Sequence, residues 1–180
     1  WGHVELACLP AELHLAPERI PDAVERAVAE ARAAGAGAVF VAYADCGTGG
    51  ALAARCAALG VEMIPGPHCY AFFDGVEAFA ARGEAEMRAF YLTDFLVRQF
   101  DAFVWRPMGL DRAPELRGTL FGGYETLVHL AQTEDAELDR LARDAAARLG
   151  LRHERRATGY GDLAPFLARA AAAREAAGGA

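Results

Sequence analysis

The sequence predicts an α/β protein of two small Rossmann-like lobes around largely parallel sheet, with helices on both faces. Three observations carry that expectation. Short apolar runs rich in β-formers alternate with longer stretches of helical spacing. Glycine-rich turns follow the runs, as strand-to-helix connections require. The same rhythm returns in the last third of the chain, where "GLRHERR" after "ARLG" parallels "GVEMIPG" after "AALG". A length of 180 residues suits one domain or two small lobes. We place the lobes at residues 1–85 and 86–180.

The elements follow in order. "VELACLP" (Val4 to Pro10) and "AVFVAYADC" (Ala38 to Cys46) are apolar enough for buried strands. Between them Ile20, Val24, Ala27, Val28 and Ala31 keep helical spacing, in a stretch that starts near prolines and ends in glycines. "GGALAARCAALG" (Gly49 to Gly60) gives a second helix and "VEMIPG" a third strand. The stretch from Gly75 to Trp105 has the composition of one or two helices interrupted near Gly83 and again near Leu92 to Asp94. Thr93 is placed to cap the helix that follows, turning Phe95, Phe100, Phe103 and Val104 to the core. Residues Pro107 to Tyr124 are polar and glycine-rich, as a connection is. "TLVHLAQT" (Thr126 to Thr133) then forms a strand, with His129 a core histidine. Asp135 to Gly150 forms an amphipathic helix and Leu151 to Thr158 a polar edge strand bearing a solvated His153. "LAPFLARAAAAREAA" closes the series as a terminal helix.

Charge narrows the function classes. All 18 basic residues are arginine, they form no cluster, and the formal net charge is -7. A phosphate backbone needs gathered positive charge, so nucleic acid is not an expected partner. No apolar stretch reaches the roughly 18 residues of a membrane span, and the first residues lack the order of a signal peptide, so we expect a cytoplasmic protein with no membrane partner. The four cysteines are irregularly spaced and are expected reduced. The chain opens on Trp1 and runs at once into strand-like sequence, which leads to the expectation of a preceding element.

Ligands of parallel α/β sheets gather beyond the carboxyl ends of the strands. There this sequence puts its unusual residues: Cys8, Glu12 and His14 after the first run, Asp45, Cys46 and Thr48 after the second, His68, Cys69 and Tyr70 after the third. One reading is a metal site of Cys8, Cys46, Cys69 and His68, with His14 as a further candidate, since thiolate and imidazole suit zinc, or an iron–sulfur group if thiolates dominate. The other is that strand-end cysteines simply pack, as Cys56 does among helix alanines. In "DCGTGG", Asp45, Gly47, Thr48 and Gly49 form a turn able to hold the anionic part of a small molecule, and Cys46 beside a helix start would have a lowered pKa. Tyr70 and Tyr160 are candidate polar contacts to that ligand, with Asp162 a helix cap.

"VAYADCGTGG", "GVEMIPGPHCYAFFDG", "FYLTDFLVRQFDAFVW", "MGLDRAPELR" and "RATGYGDL" occur in this order over nearly the whole chain. Together they resemble the bacterial and archaeal domain-of-unknown-function family numbered 1638. The resemblance implies a role in corrinoid-dependent one-carbon methyl transfer, because such members are typically encoded beside corrinoid proteins and their methyltransferases. It implies a corrinoid protein or methyltransferase as partner and a corrinoid as a possible cofactor. It also matches the family's cysteines to Cys8, Cys46 and Cys69, which strengthens the metal or thiolate reading. We therefore expect a Cys/His metal protein acting in methyl transfer, as methyltransferase or accessory protein. The alternative is a non-enzymatic module that binds a small molecule or corrin while its cysteines pack.

Overall fold

The computed structural model describes residues 4–177 and shows a mixed α/β chain with two parallel sheets. It divides into two compact units. The first runs to Phe72 and resumes at Gly161; the second covers Phe73–Tyr160. The expected boundary at residue 85 is thus replaced by one inside a helix, and the terminal helix returns to the first unit.

In the first unit, two short 3-10 turns, Ala11–Leu15 and Pro17–Arg19, lead into helix α1 (Ile20–Ala33). Strand β1 (Phe40–Val41) pairs in parallel with β2 (Glu62–Met63), and α2 (Ala51–Leu59) connects them. Ile20, Val24 and Val28 of α1, Leu52 and Cys56 of α2, and Val41 and Val61 share one buried cluster, so the helical spacing seen in the sequence does bury one face. Two expectations are corrected. Val4 to Pro10 is irregular and largely exposed rather than a strand, because no ladder partner lies beside it among the described residues. The nine-residue apolar run to Cys46 contributes only two ladder residues, because its partner β2 is stopped by Pro65 and Pro67, which donate no N–H.

The chain leaves the first unit through α3 (Cys69–Asp74), then forms α4 (Val76–Ala81), a 3-10 segment (Gly83–Arg88) and β3 (Ala89–Thr93). Strands β3, β4 (Thr126–Ala131) and β5 (Arg152–Ala157) form a parallel sheet in that order. All six residues of β4 are buried, as a central strand covered on both faces must be. The polar β5 lies at the edge, as its alternating exposure demands. Thr93 caps α5 (Asp94–Arg98) by accepting the Leu96 N–H at 3.4 Å, as the sequence indicates. A π-helical turn (Asp101–Trp105) and α6 (Leu116–Phe121) precede β4, and α7 (Ala136–Leu149) follows it, capped by Asp135. The core here holds Leu92, Val97, Phe100, Val104, Leu127, Leu138 and Leu149.

Four sequence expectations change in this unit. "AFYLT" is strand rather than helix. The linker contains α6. Phe95 is 46 % exposed rather than turned to the core. His153 is half-buried rather than solvated, and burial holds its imidazole below the usual histidine range. His129 is wholly buried: Nε2 lies 2.9 Å from Asp94 Oδ1, and Nδ1 lies 3.7 Å from Asp139 Oδ1. The terminal helix α8 (Leu163–Ala177) places Phe166 edge-on to Phe40 in the first unit. Among the described residues no helix is long and apolar enough to cross a membrane.

Candidate functional site

Parallel pairing of β1 with β2 sends both chains out of the same sheet end. Ile64 N–H bonds Val41 O at 2.9 Å, and beyond it the two loops stay tied. Cys46 N–H donates to Pro67 O at 3.0 Å and Asp45 N–H to Gly66 O at 3.4 Å. Gly66 and Pro67 of the second loop supply the two accepting carbonyls. The result is that Cys46 and Cys69, 23 positions apart, meet. The two thiols lie close enough to shift one another's ionisation. Cys46 is also the one non-glycine among the described residues with positive φ, at 46°. A side chain in the left-handed region costs on the order of 1–3 kcal/mol and marks sites where geometry serves something other than stability.

This pairing polarises the two sulfurs. The Cys46 thiol is held below the ordinary cysteine range, first by the Cys69 S–H, with the backbone N–H groups of Cys69 and Ala44 helping against burial and the Asp45 charge. Cys69 is pushed well above that range, because it is the hydrogen donor to Cys46 and is itself desolvated. Cys46 is therefore the more acidic of the two sulfurs. Burial, with the nearby Cys46 and Cys69 charges behind it, raises the Tyr43 phenol to about 12. Tyr43 OH lies 3.4 Å from His14 Nδ1, which is also 3.2 Å from Ala11 O. The sequence reading missed Tyr43. Its one signal was its place three residues before Cys46 at the end of an apolar run.

The remaining expected residues fall elsewhere. Cys8 is exposed on the irregular first segment, and Cys56 is buried in the α2 core. His68 turns its Nδ1 lone pair to Ala71 N–H at 3.2 Å, which puts the ring proton on Nε2. Burial lowers its pKa. Tyr70 stacks tilted beside His68, ring centroids 5.5 Å apart. Tyr160 belongs to the second unit and is 55 % exposed.

The glycine turn is already served from within. Asp45 accepts the Thr48 hydroxyl and the N–H of Gly50 at 2.9 Å, with Gly49 N–H adding to the set, and these bonds hold its carboxyl below the usual range. Thr48 Oγ1 in turn accepts Leu52 N–H at 3.2 Å. Asp45 thus fills, as an internal anion, the cradle that Gly47, Thr48 and Gly49 were expected to offer a ligand.

The four-donor metal set is corrected for the same kind of reason. Among the described residues no three His, Cys, Asp or Glu side chains gather in a way that could hold an ion. Cys46 and Cys69 supply two sulfurs, Cys8 sits on a separate exposed segment, and the lone pair of His68 is spent on backbone. Zinc takes three protein donors in catalytic sites and four in structural ones. The residues present do not fit it, nor an iron–sulfur group held by thiolates alone.

Compared with known proteins, residues 8–167 match the family model described as "Protein of unknown function (DUF1638)". No curated protein and no solved structure matches the chain.

Proposed function

We propose that this chain, which belongs to the DUF1638 family, is an accessory protein of corrinoid-dependent one-carbon methyl transfer that holds a corrinoid through the Cys46 thiolate. The observation that carries the reading is that β1 and β2 release Cys46 and Cys69 at one sheet end, on loops tied by Cys46 N–H to Pro67 O at 3.0 Å, with the Cys46 thiol held below its ordinary range. The corrinoid context comes from the family resemblance of the motifs around that pair.

The donor count favours this ligand over a resident metal ion. A zinc ion needs three or four protein donors, and this site offers two. A corrinoid, which brings its own donors to the cobalt, would need a single donor from the protein, and Cys46 would be the residue to supply it. Thiolate is a soft ligand that competes well with water for such a metal. In this reading Cys46 supplies the sulfur, Cys69 keeps it ionised, and Tyr43 stays protonated beside them as a neutral hydrogen-bond donor. The alternative of a module gripping an anion at the glycine turn gains no support, since Asp45 occupies the N–H groups it would use.

The test is a titration of the reduced chain with a cobalt(III) corrinoid carrying water on its upper face, on a Cys8→Ser background. The expected result is a change in the corrin absorption bands that saturates at one corrinoid per chain. It disappears with Cys46→Ser and weakens with Cys69→Ala. An identical spectral change in wild type and Cys46→Ser would overturn the reading.

A further inference from the structure

We infer that Cys46 and Cys69 are a redox-active dithiol that closes to an intramolecular disulfide by exchange with a small disulfide of the glutathione class. Parallel β1 and β2 release Cys46 and Cys69 at one sheet end, where the two thiols shift one another's ionisation in opposite directions. The loops carrying them are joined by two backbone hydrogen bonds, Cys46 N–H to Pro67 O and Asp45 N–H to Gly66 O. A disulfide requires its sulfurs about 2.05 Å apart and its Cα atoms within about 7 Å. Neighbouring thiols on loops tied in this way need only a short closing movement. Cys46 also holds a left-handed backbone conformation at φ 46°, a strain the fold maintains where the sulfurs meet.

Cys56 is enclosed in the core of the first unit, and Cys8 lies on the exposed first segment. The step balances as an exchange. The Cys46 sulfur attacks one sulfur of the small disulfide, a mixed disulfide forms, and one small thiolate leaves and takes a proton. The Cys69 thiol then gives up its proton, attacks the Cys46 sulfur and expels the second small thiolate, which is also protonated. The protein loses two hydrogens and two electrons, and one small disulfide becomes two thiols. The inference uses the same sulfur pair as the corrinoid reading but no corrin, so either can fail while the other stands.

The full reduced chain is equilibrated, without corrinoid, in buffers of varied reduced-to-oxidised glutathione ratio. Free thiols are counted and peptides mapped by mass spectrometry. Two of the four thiols should disappear together, in a single Cys46–Cys69 crosslink that dithiothreitol reverses. In Cys69→Ser the reaction should stop at the first stage, with the Cys46–glutathione adduct enriched about tenfold over wild type. The unmutated chain alone decides the matter if the variant does not fold. Persistent glutathione on Cys46 with no internal crosslink, or a crosslink through Cys8, would overturn the inference.

Discussion

Replacing Asp94 by alanine should destabilise the second unit. Asp94 is 8 % exposed and stands where β3 passes into α5. Its Oδ1 accepts from His129 Nε2 at 2.9 Å and from Gln132 N–H at 3.3 Å; its Oδ2 accepts Thr133 N–H at 3.0 Å and Thr133 Oγ1 at 2.7 Å. The Thr133 hydroxyl can turn to water, and the two backbone groups lie near the surface. His129 cannot follow, because it is fully buried. Leaving that one donor unsatisfied costs about 1–3 kcal/mol, and losing the other bonds adds about 1 kcal/mol net. We expect a total of about 3 kcal/mol, which lowers Tm by roughly 6–12 °C for a chain of this size. The assay is thermal and urea unfolding followed by circular dichroism. Asp139→Ala is the control, since that carboxylate is 3.7 Å from His129 Nδ1 and its side chain is 27 % exposed; it should cost under about 1 kcal/mol. Equal losses in the two variants, or a loss below about 1 kcal/mol for Asp94→Ala, would refute the reasoning.

Three further outcomes follow from the first unit. Burial raises the Tyr43 phenol to about 12, above its ordinary range, so the folded state keeps its proton longer than the unfolded one. Stability should therefore be unaffected by this group below about pH 10 and fall as pH rises toward 12; Tyr43→Phe should flatten that slope in unfolding measurements. Cys46→Gly should be more stable than Cys46→Ala by about 1 kcal/mol in urea titrations, since glycine accepts φ 46° without the Cβ penalty, and equal values would show that the turn relaxes. Protein purified without chelator should carry well under one zinc per chain and keep its Tm in EDTA; stoichiometric zinc would mean that a third donor reaches the two sulfurs.

Much of the scaffold could be read from residues. The six-residue apolar run at Thr126, the capped amphipathic stretch after Asp135 and the polar run at Arg152 each carry one unambiguous period, and each became the expected element. "AFYLT" was concealed because it is short and sits between "EAEMR" and "DFLVRQF", both helical in spacing, so no local period separates it from them. "VELACLP" misled in the opposite way. Its composition favours a strand, but a strand exists only where a partner supplies the ladder, and nothing local reveals that partner's absence.

The site divides along the same line. That Cys46 and Cys69 meet was legible, because two neighbouring parallel strands must release their chains at one sheet end. That Cys8 stays apart was not, since its place depends on a strand that does not form. The role of Asp45 could have been suspected from Asx-turn chemistry, in which an aspartate before a glycine-rich helix start caps it with its own carboxylate. Tyr43 and His14 approach through tertiary packing between segments 29 positions apart, which periodicity does not encode.

The pH dependence of Cys46 alkylation tests the account most directly, since everything proposed for the site needs that sulfur ionised by its neighbour. Iodoacetamide labelling rates at Cys46 are followed by mass spectrometry from pH 5 to pH 10, in wild type and in Cys69→Ala. The account predicts a midpoint at Cys46 below the ordinary cysteine range, shifted upward once Cys69 is removed. A Cys46 midpoint within the ordinary range, or one indifferent to Cys69, would contradict it.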